Sequence, residues 1–205
     1  MATRRVVVEG EEVLRKHAKS AGPVTPHLKE ILQDMVETMR EENGVGLAAP
    51  QVGIMRRMFV AQPDPGDDAT VYYMIDPVIT HYSEEKEWGV EGCLSVPDMV
   101  GDVERSVAIK IEATGLDGER REFDFEGFDA RVMQHEYDHL DGILYTDKCR
   151  NLRSAFEEDE ELREVRQFTQ EMDRCAFLSD QKSEYAVYSA EQPHALCFRS
   201  VRSKR

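Results

Sequence analysis

The sequence lacks any apolar run that approaches the roughly 20 residues a helix needs to cross a bilayer. Residues 1–9 hold only a three-residue apolar run, the valines at 6–8, and acidic Glu9 follows at once. A secretory signal needs a longer apolar core, and a transit peptide avoids acidic residues, so neither is indicated. From these absences we expect a cytoplasmic protein with no membrane partner.

Cysteine is also scarce, with 4 in a chain of 205 residues. They are Cys93, Cys149, Cys175 and Cys197. In a cytoplasmic chain of this length, four cysteines do not suggest a disulfide framework. The sequence around each cysteine must therefore decide whether it is a metal ligand or a small packing residue.

Basic residues are outnumbered, 26 against 41 acidic ones, which gives a formal net charge of −15. An acidic surface opposes non-specific attachment to nucleic acids and anionic membranes, so we expect no specific DNA binding. Solubility alone accounts for such a charge. The length is that of one domain that can bury a core.

The chemistry-bearing pattern is His-Glu-x-x-His, within residues 134–142. On a helix, His135 and His139 would lie one turn apart on the same face, where two neutral imidazoles can hold one metal ion. Glu136 is turned by about 100° from His135. That position suits a general base acting on metal-activated water better than a third ligand. Taken alone, the pattern leaves an ordinary surface helix open.

Two upstream stretches each place one reactive side chain among small and apolar residues. Residues 44–53 carry Gln51, whose amide would either bond the backbone or face a substrate oxygen. The residues alone favour a tight structural turn there. Residues 91–97 carry Cys93 in a loop or a short extended piece. A lone cysteine in such a place is either a core residue or a ligand.

Helical and strand periods together predict an α+β fold. Thr25 as N-cap and Pro26 at the first helical position begin a helix with one apolar face, which ends near Asn43. Apolar alternation and turn residues predict strands at 57–61, 71–76, 77–80, 103–114 and 120–125. We expect antiparallel strands packed around a central metal-binding helix, with an N-terminal helix and a C-terminal helix added.

Three stretches, taken together and in this order, resemble the signature motifs of the peptide deformylases. They are residues 44–51, 91–95 and 134–142. The resemblance covers roughly residues 4–150, and the short gaps are similar to those of the bacterial-type enzymes. It implies a metal-dependent hydrolase that removes the formyl group from the N-terminal methionine of newly synthesised proteins and releases formate. Its substrates would be nascent formylmethionyl polypeptides, bound extended by strand addition.

The resemblance also assigns a metal centre. Cys93, His135 and His139 would be the ligands of one Fe²⁺ ion, with Zn²⁺, Ni²⁺ or Co²⁺ able to substitute. Glu136 would take a proton from the attacking water and deliver it to the leaving amine.

Further roles follow from the same resemblance. The Gln51 side-chain amide and the Leu94 backbone N–H would donate to the oxyanion. Val45, Val132 and His135 would border the substrate methionine side chain, and Gly46 would let the peptide backbone come close. Glu91 would hold Arg105 or Arg131 in an internal ion pair, and Gln134 and Asp138 would orient the ligands by hydrogen bonds.

Three segments follow from this assignment. We predict a deformylase catalytic domain over 1–150, an acidic C-terminal helix over 151–178 that packs on or extends from it, and a partly flexible tail over 179–205. A capping-box pattern from Ser154 to Glu157 would begin the helix. Because only the extreme tail is basic, transient ribosome association is left open. The alternative activity is that of a His-Glu-x-x-His metallopeptidase, which usually finds its third ligand downstream.

Overall fold

The computed structural model describes residues 3–64 and 69–156. Within these ranges the chain forms two α-helices and eight strands. The helices are α1 (Pro26–Glu41) and α2 (Gly127–Leu140). The strands are β1 (Gly46–Ala48), β2 (Met58–Ala61), β3 (Tyr72–Tyr82), β4 (Lys86–Cys93), β5 (Val96–Ser106), β6 (Ala108–Thr114), β7 (Arg120–Glu126) and β8 (Arg150–Ser154).

The strands make two sheets. One has five strands in the order β1-β2-β3-β6-β7, and the other has three in the order β4-β5-β8. The pairs within the five-stranded sheet, and the β4–β5 pair, are antiparallel. The predicted mixture of helices and antiparallel strands is therefore confirmed.

Helix α1 begins as its sequence predicts. The Thr25 hydroxyl accepts a hydrogen bond from the Leu28 N–H at 3.2 Å, and Pro26 occupies the first turn. The apolar face of α1 then packs in one cluster with residues of β1 and β2, including Leu47 and Met58. Burying this face fixes β1, the strand that begins at Gly46.

Two strand predictions were wrong in their boundaries. The predicted strands at 71–76 and 77–80 are one strand, β3, with a register shift between Ile75 and Val78. Asp76 has a positive φ of 48° at this point, so a bulge absorbs Pro77 without ending the strand. The predicted strand at 103–114 is divided at Val107, because β5 belongs to the three-stranded sheet and β6 to the other.

Cys93 does not lie in a loop. It is the last residue of β4, which pairs with β5 along its length. Residues 6–8 lie outside the strands, but the N-terminal segment hydrogen-bonds both the motif at 44–51 and the motif at 91–95. The Val7 N–H donates to the Gln51 carbonyl and the Glu9 N–H donates to the Ser95 carbonyl, both at 2.7 Å.

Helix α2 contacts strands of both sheets, including β1 and β5. It ends at Leu140, whose carbonyl accepts a hydrogen bond from the Ala18 N–H at 2.8 Å. Gly142 follows with φ of 74°, the left-handed conformation in which glycine commonly ends a helix. The helix that carries His135 and His139 is therefore fixed at its C-terminal end by the N-terminal segment.

The acidic helix was predicted to begin at residue 151, but Arg150–Ser154 form strand β8, so the start of that prediction was wrong. The remainder of the predicted helix from residue 157, and the predicted tail at 179–205, lie outside the described residues. Among the described residues, no helix is both long and apolar enough to span a membrane.

Candidate metal centre

Three sequence-predicted ligands converge. Cys93 lies at the end of β4, and His135 and His139 lie on α2. Their candidate ligand atoms are all within 4.8 Å of one another. The Cys93 Sγ and the His139 Nε2 are 3.3 Å apart, and the two imidazole rings are 5.0 Å apart at 80°. One thiolate and two imidazoles at such distances are a donor set that suits a divalent transition metal.

Glu136 lies beside this donor set with an unusual environment. Its side chain is buried, and its Oε2 has no hydrogen-bond partner among the described residues. Burial raises the pKa of this carboxyl to about 7. A carboxyl with that pKa can both accept and return a proton near neutral pH, as a general base must. The orphaned oxygen and the donor set together fit a metal that activates water.

Gly46 is what allows Glu136 to lie against β1. A Cβ added at Gly46 would be 2.3 Å from the Glu136 Oε1 and 2.7 Å from its Cδ. The resemblance to the deformylases implies that this glycine lets a peptide backbone approach. The structure adds a second reason, which is clearance for the buried carboxylate.

Glu91 supports His135 from behind. Its carboxylate accepts two hydrogen bonds from Arg105, both at 2.9 Å, and one from Arg131 at 3.0 Å. The His135 Nδ1 is 2.9 Å from the Glu91 Oε2. Burial alone would raise the Glu91 pKa, but the hydrogen bonds from Arg105 and His135 hold it well below its usual range. An ionised Glu91 favours a proton on Nδ1, which leaves Nε2 free to bind a metal.

His139 has different surroundings. Burial, together with the nearby charges of His135 and Arg105, lowers its pKa well below the ordinary histidine value. Its Nδ1 is buried and has no hydrogen-bond partner within residues 3–64 and 69–156. A neutral imidazole is the form that binds metals. The two predicted ligands on α2 are thus held in different ways.

Gln51 takes both of the roles that its residue type allows. Its side-chain oxygen accepts a hydrogen bond from the Ala48 N–H at 2.8 Å, which supports the tight turn. Its Nε2 donates toward the Cys93 Sγ at 3.3 Å and to the Ser95 hydroxyl at 3.2 Å. Leu94 and Ser95 form the turn between β4 and β5. The amide is therefore aimed at the Cys93 side of the donor set.

Two of the residues expected around a methionine side chain, Val45 and Val132, share one hydrophobic cluster. Val132 is buried in the cluster against which the partly buried Val45 packs. His135 follows on the same helix, and its ring stacks at 6.1 Å on that of Tyr145. The Tyr145 hydroxyl donates to the Met99 carbonyl at 2.9 Å.

Neither Gln134 nor Asp138 touches a ligand imidazole in the described contacts, so the prediction that they orient the ligands directly was wrong. The Gln134 amide bonds the backbone of Ser106 and Ala130. Asp138 accepts from Arg105 at 2.5 Å and from Lys148. Its influence on His135 passes through Arg105 and Glu91. A cavity of about 280 Å³ is lined in part by Arg105, Gln134, Asp138 and Lys148, and none of the three donor residues lines it.

Sequence reasoning missed three contributors. Ser95 was only part of a motif, yet it fixes the Gln51 amide. Tyr145 lies outside all three motifs, and Val7 belongs only to the short apolar run near the N-terminus. No local pattern marks such contacts, because each joins segments far apart in the chain.

A Cys-His-His donor set beside a buried carboxyl that can exchange a proton is the arrangement that a metal-dependent hydrolase requires. The sequence profile of the polypeptide deformylase family matches residues 3–155. A peptide deformylase of Symbiobacterium thermophilum is 47% identical over 167 residues, which are 80% of this chain and 75% of that protein. The crystal structure of peptide deformylase from Thermotoga maritima matches with a TM-score of 0.70 and 42% identity, over 73% of this chain and 99% of that one. A class I type b peptide deformylase from Acinetobacter baumannii, described as Met-Ala-Ser bound, matches with a TM-score of 0.66 and 40% identity, over 72% and 98%.

The chain belongs to the polypeptide deformylase family. Its activity is the removal of the formyl group from the N-terminal methionine of newly synthesised proteins. The metallopeptidase alternative is not favoured by these matches.

Proposed function

We propose that deformylation takes place at Cys93, His135 and His139, with one Fe²⁺ ion as the native metal and Glu136 as the general base. The observation that carries this proposal is the convergence of the three donor atoms within 4.8 Å, beside a buried carboxylate oxygen that has no partner among the described residues. When bound, a divalent metal would supply Lewis-acid chemistry and activate water. Zn²⁺, Ni²⁺ or Co²⁺ would fit the same donors.

The side chains then have separate tasks. Glu136 accepts a proton from the attacking water at Oε2 and returns it to the amine that leaves. Gln51, through Nε2, and Leu94, through its backbone N–H, donate hydrogen bonds to the oxyanion on the formyl carbon. The Ser95 contact and the Ala48 contact hold the Gln51 amide in place before substrate arrives.

The substrate is proposed to bind as an added strand. β1 and β4 are the terminal strands of their sheets, so each has an edge that can pair with an extended peptide. The methionine side chain would lie against Val45, Val132 and His135, and Gly46 would let the peptide backbone come close. The Met-Ala-Ser bound relative supports a peptide of this kind as ligand. The catalytic domain at 1–150, a cytoplasmic location and transient ribosome association are proposed with the same assignment.

The test is anaerobic purification with elemental analysis, followed by a formate-release assay on formyl-Met-Ala-Ser. We expect about one iron per chain and release of formate. Cys93→Ser removes a thiolate and should sharply reduce the metal content. A normal metal content in that variant would contradict the ligand assignment. Cleavage of casein without formate release would instead favour the metallopeptidase.

A further inference from the structure

Arg131 lies on α2 and reaches across to the β4–β5 hairpin. Its Nη2 donates to the Glu87 carbonyl at 2.9 Å, and its Nη1 donates to the Val103 carbonyl at 2.9 Å. Nη1 also lies 3.0 Å from the Glu91 Oε1. The side chain is only 12% exposed. One guanidinium therefore bonds the backbone of two strands and the carboxylate that supports His135.

Gly89 provides the space for this guanidinium. A Cβ added there would lie 2.7 Å from the Arg131 Cζ and 2.8 Å from its Nη2. Gly89 is absent from the residues with positive φ, so its backbone conformation does not require glycine. The requirement is for clearance. A larger residue at this position would push the guanidinium away from both carbonyls.

These contacts join the two elements that supply the metal donors. β4 ends at Cys93, four residues beyond Gly89, and α2 carries His135 four residues beyond Arg131. We propose that Arg131 and Gly89 form a clasp that sets the position of Cys93 relative to His135 and His139. Arg131 is then a positioning residue for the metal centre. This inference rests on the proposed donor set and adds a residue pair that holds it together.

The clasp differs from a simple ion pair in what it predicts. If Arg131 served only to neutralise Glu91, a lysine at 131 would preserve most of its effect. A lysine has a single donor nitrogen and cannot reproduce a planar fork that bonds two carbonyls and a carboxylate at once. Arg131→Lys should therefore resemble Arg131→Met in metal binding.

The experiment measures zinc affinity of the full chain by competition with a chromophoric chelator. We expect Arg131→Met to weaken zinc binding at least about tenfold, as is usual when a residue supporting the ligands is lost. Gly89→Ala should give a similar loss, and adding it to Arg131→Met should cost nothing more, because both changes remove the same contacts. Arg153→Met is the matched control, since Arg153 pairs with Asp102 on β5 without contacting α2 in the described contacts.

The outcomes separate the two proposals. Wild-type zinc affinity in Arg131→Met, or additive losses for Gly89→Ala and Arg131→Met, would overturn the clasp and leave the metal centre standing. A wild-type chain that bound no zinc would overturn the metal centre itself. Circular dichroism of each metal-free variant verifies the fold. If Arg131→Met does not fold, Arg131→Lys takes its place, and wild-type affinity in that variant would overturn the clasp equally.

Discussion

Two buried glutamates, Glu91 and Glu136, lie beside His135, and they differ in their partners. Glu91 is bonded by Arg105, Arg131 and His135, and the hydrogen bonds and charges of Arg105 and His135 hold its pKa well below the usual range. Glu136 has an oxygen with no partner among the described residues, and burial raises its pKa to about 7. The same residue type is thus kept charged on one side of the site and easily protonated on the other.

The difference in pKa gives the two glutamates different roles: Glu91 supports His135, and Glu136 can transfer a proton. A carboxylate with a low pKa holds a neighbouring imidazole but cannot take a proton at neutral pH. A carboxyl with a pKa near 7 can take and return one. If this comparison is right, removing charge at position 136 should stop turnover and spare the fold, whereas removing it at position 91 should damage the fold and the metal affinity together.

The largest effect is expected for Glu136→Gln. The amide keeps the size of the side chain but cannot accept a proton, so formate release should fall by about 10²–10⁴-fold. Metal content should stay near that of the wild type, because Glu136 is not a proposed ligand. Steady-state assays with elemental analysis measure both quantities. Turnover within a few-fold of the wild type would exclude Glu136 as the base.

The stability of the metal-free protein gives a second readout for this variant. Because burial raises the Glu136 pKa from 4.5 to about 7, ionisation of this group opposes folding. Wild-type stability should therefore fall relative to Glu136→Gln as pH rises through this interval. Urea unfolding at pH 5 and pH 8 measures the difference, which should favour the variant more at pH 8.

Glu91→Gln should have the next largest effect. It leaves Arg105, which is 5% exposed, with a weaker set of partners, and breaking a buried ion pair of this kind costs about 3 kcal/mol of unfolding free energy. The amide also removes the anionic acceptor at His135 Nδ1, so metal affinity should fall as well. Urea unfolding and chelator competition measure the two losses. A variant as stable as the wild type would show that Glu91 and Glu136 do not differ as described.

Gly46→Ala tests the clearance that the Glu136 carboxylate needs against β1, and the comparison of kcat with KM separates this effect from weaker peptide binding at Gly46. The added Cβ would overlap the Glu136 carboxylate, and overpacking of this kind costs about 2 kcal/mol. We expect formate release to fall with the displacement of the carboxylate, while the zinc affinity changes little. Gly53→Ala is not a suitable control, because Gly53 has a positive φ. Gly115→Ala is better matched, since Gly115 lies between β6 and β7, has no positive φ, and its added Cβ would meet the Asp117 side chain at 3.2 Å.

The sequence predicts more of the donor set than of its support. His135 and His139 follow from a helical spacing, and Cys93 and Gln51 follow from a resemblance that includes their neighbours. The residues that hold these groups come from other segments: Arg131 contacts Glu87 some 44 residues away, and Val7 contacts Gln51. Local patterns do not encode such pairings, because they arise only when the sheets pack on α2.

The strand boundaries were missed for a similar reason. Pro77 indicated a strand break, but β3 accommodates it in a bulge. The alternation at 103–114 continues across the point where the chain passes from one sheet to the other. An alternating pattern reports which residues face a core, not which sheet the strand joins. The register of β4 with β5 brings Cys93 to the two histidines, and nothing in residues 91–97 alone specifies it.

The smallest effect is expected for Lys148→Met, which replaces the most exposed residue in the series of ion pairs that leads to Glu91 through Asp138 and Arg105. Lys148 is 39% exposed and bonds Asp138, which in turn bonds Arg105. Lys148→Met removes an ion pair that solvent screens, so it should cost only about 0.5 kcal/mol of unfolding free energy and leave metal affinity unchanged. Urea unfolding at low and high salt measures this, and high salt should abolish the difference. A loss of stability close to that of Glu91→Gln would mean that the support of His135 extends through Asp138 to the surface. The contrast between the two glutamates would then depend on Lys148 and Asp138 as well as on Arg105 and Arg131.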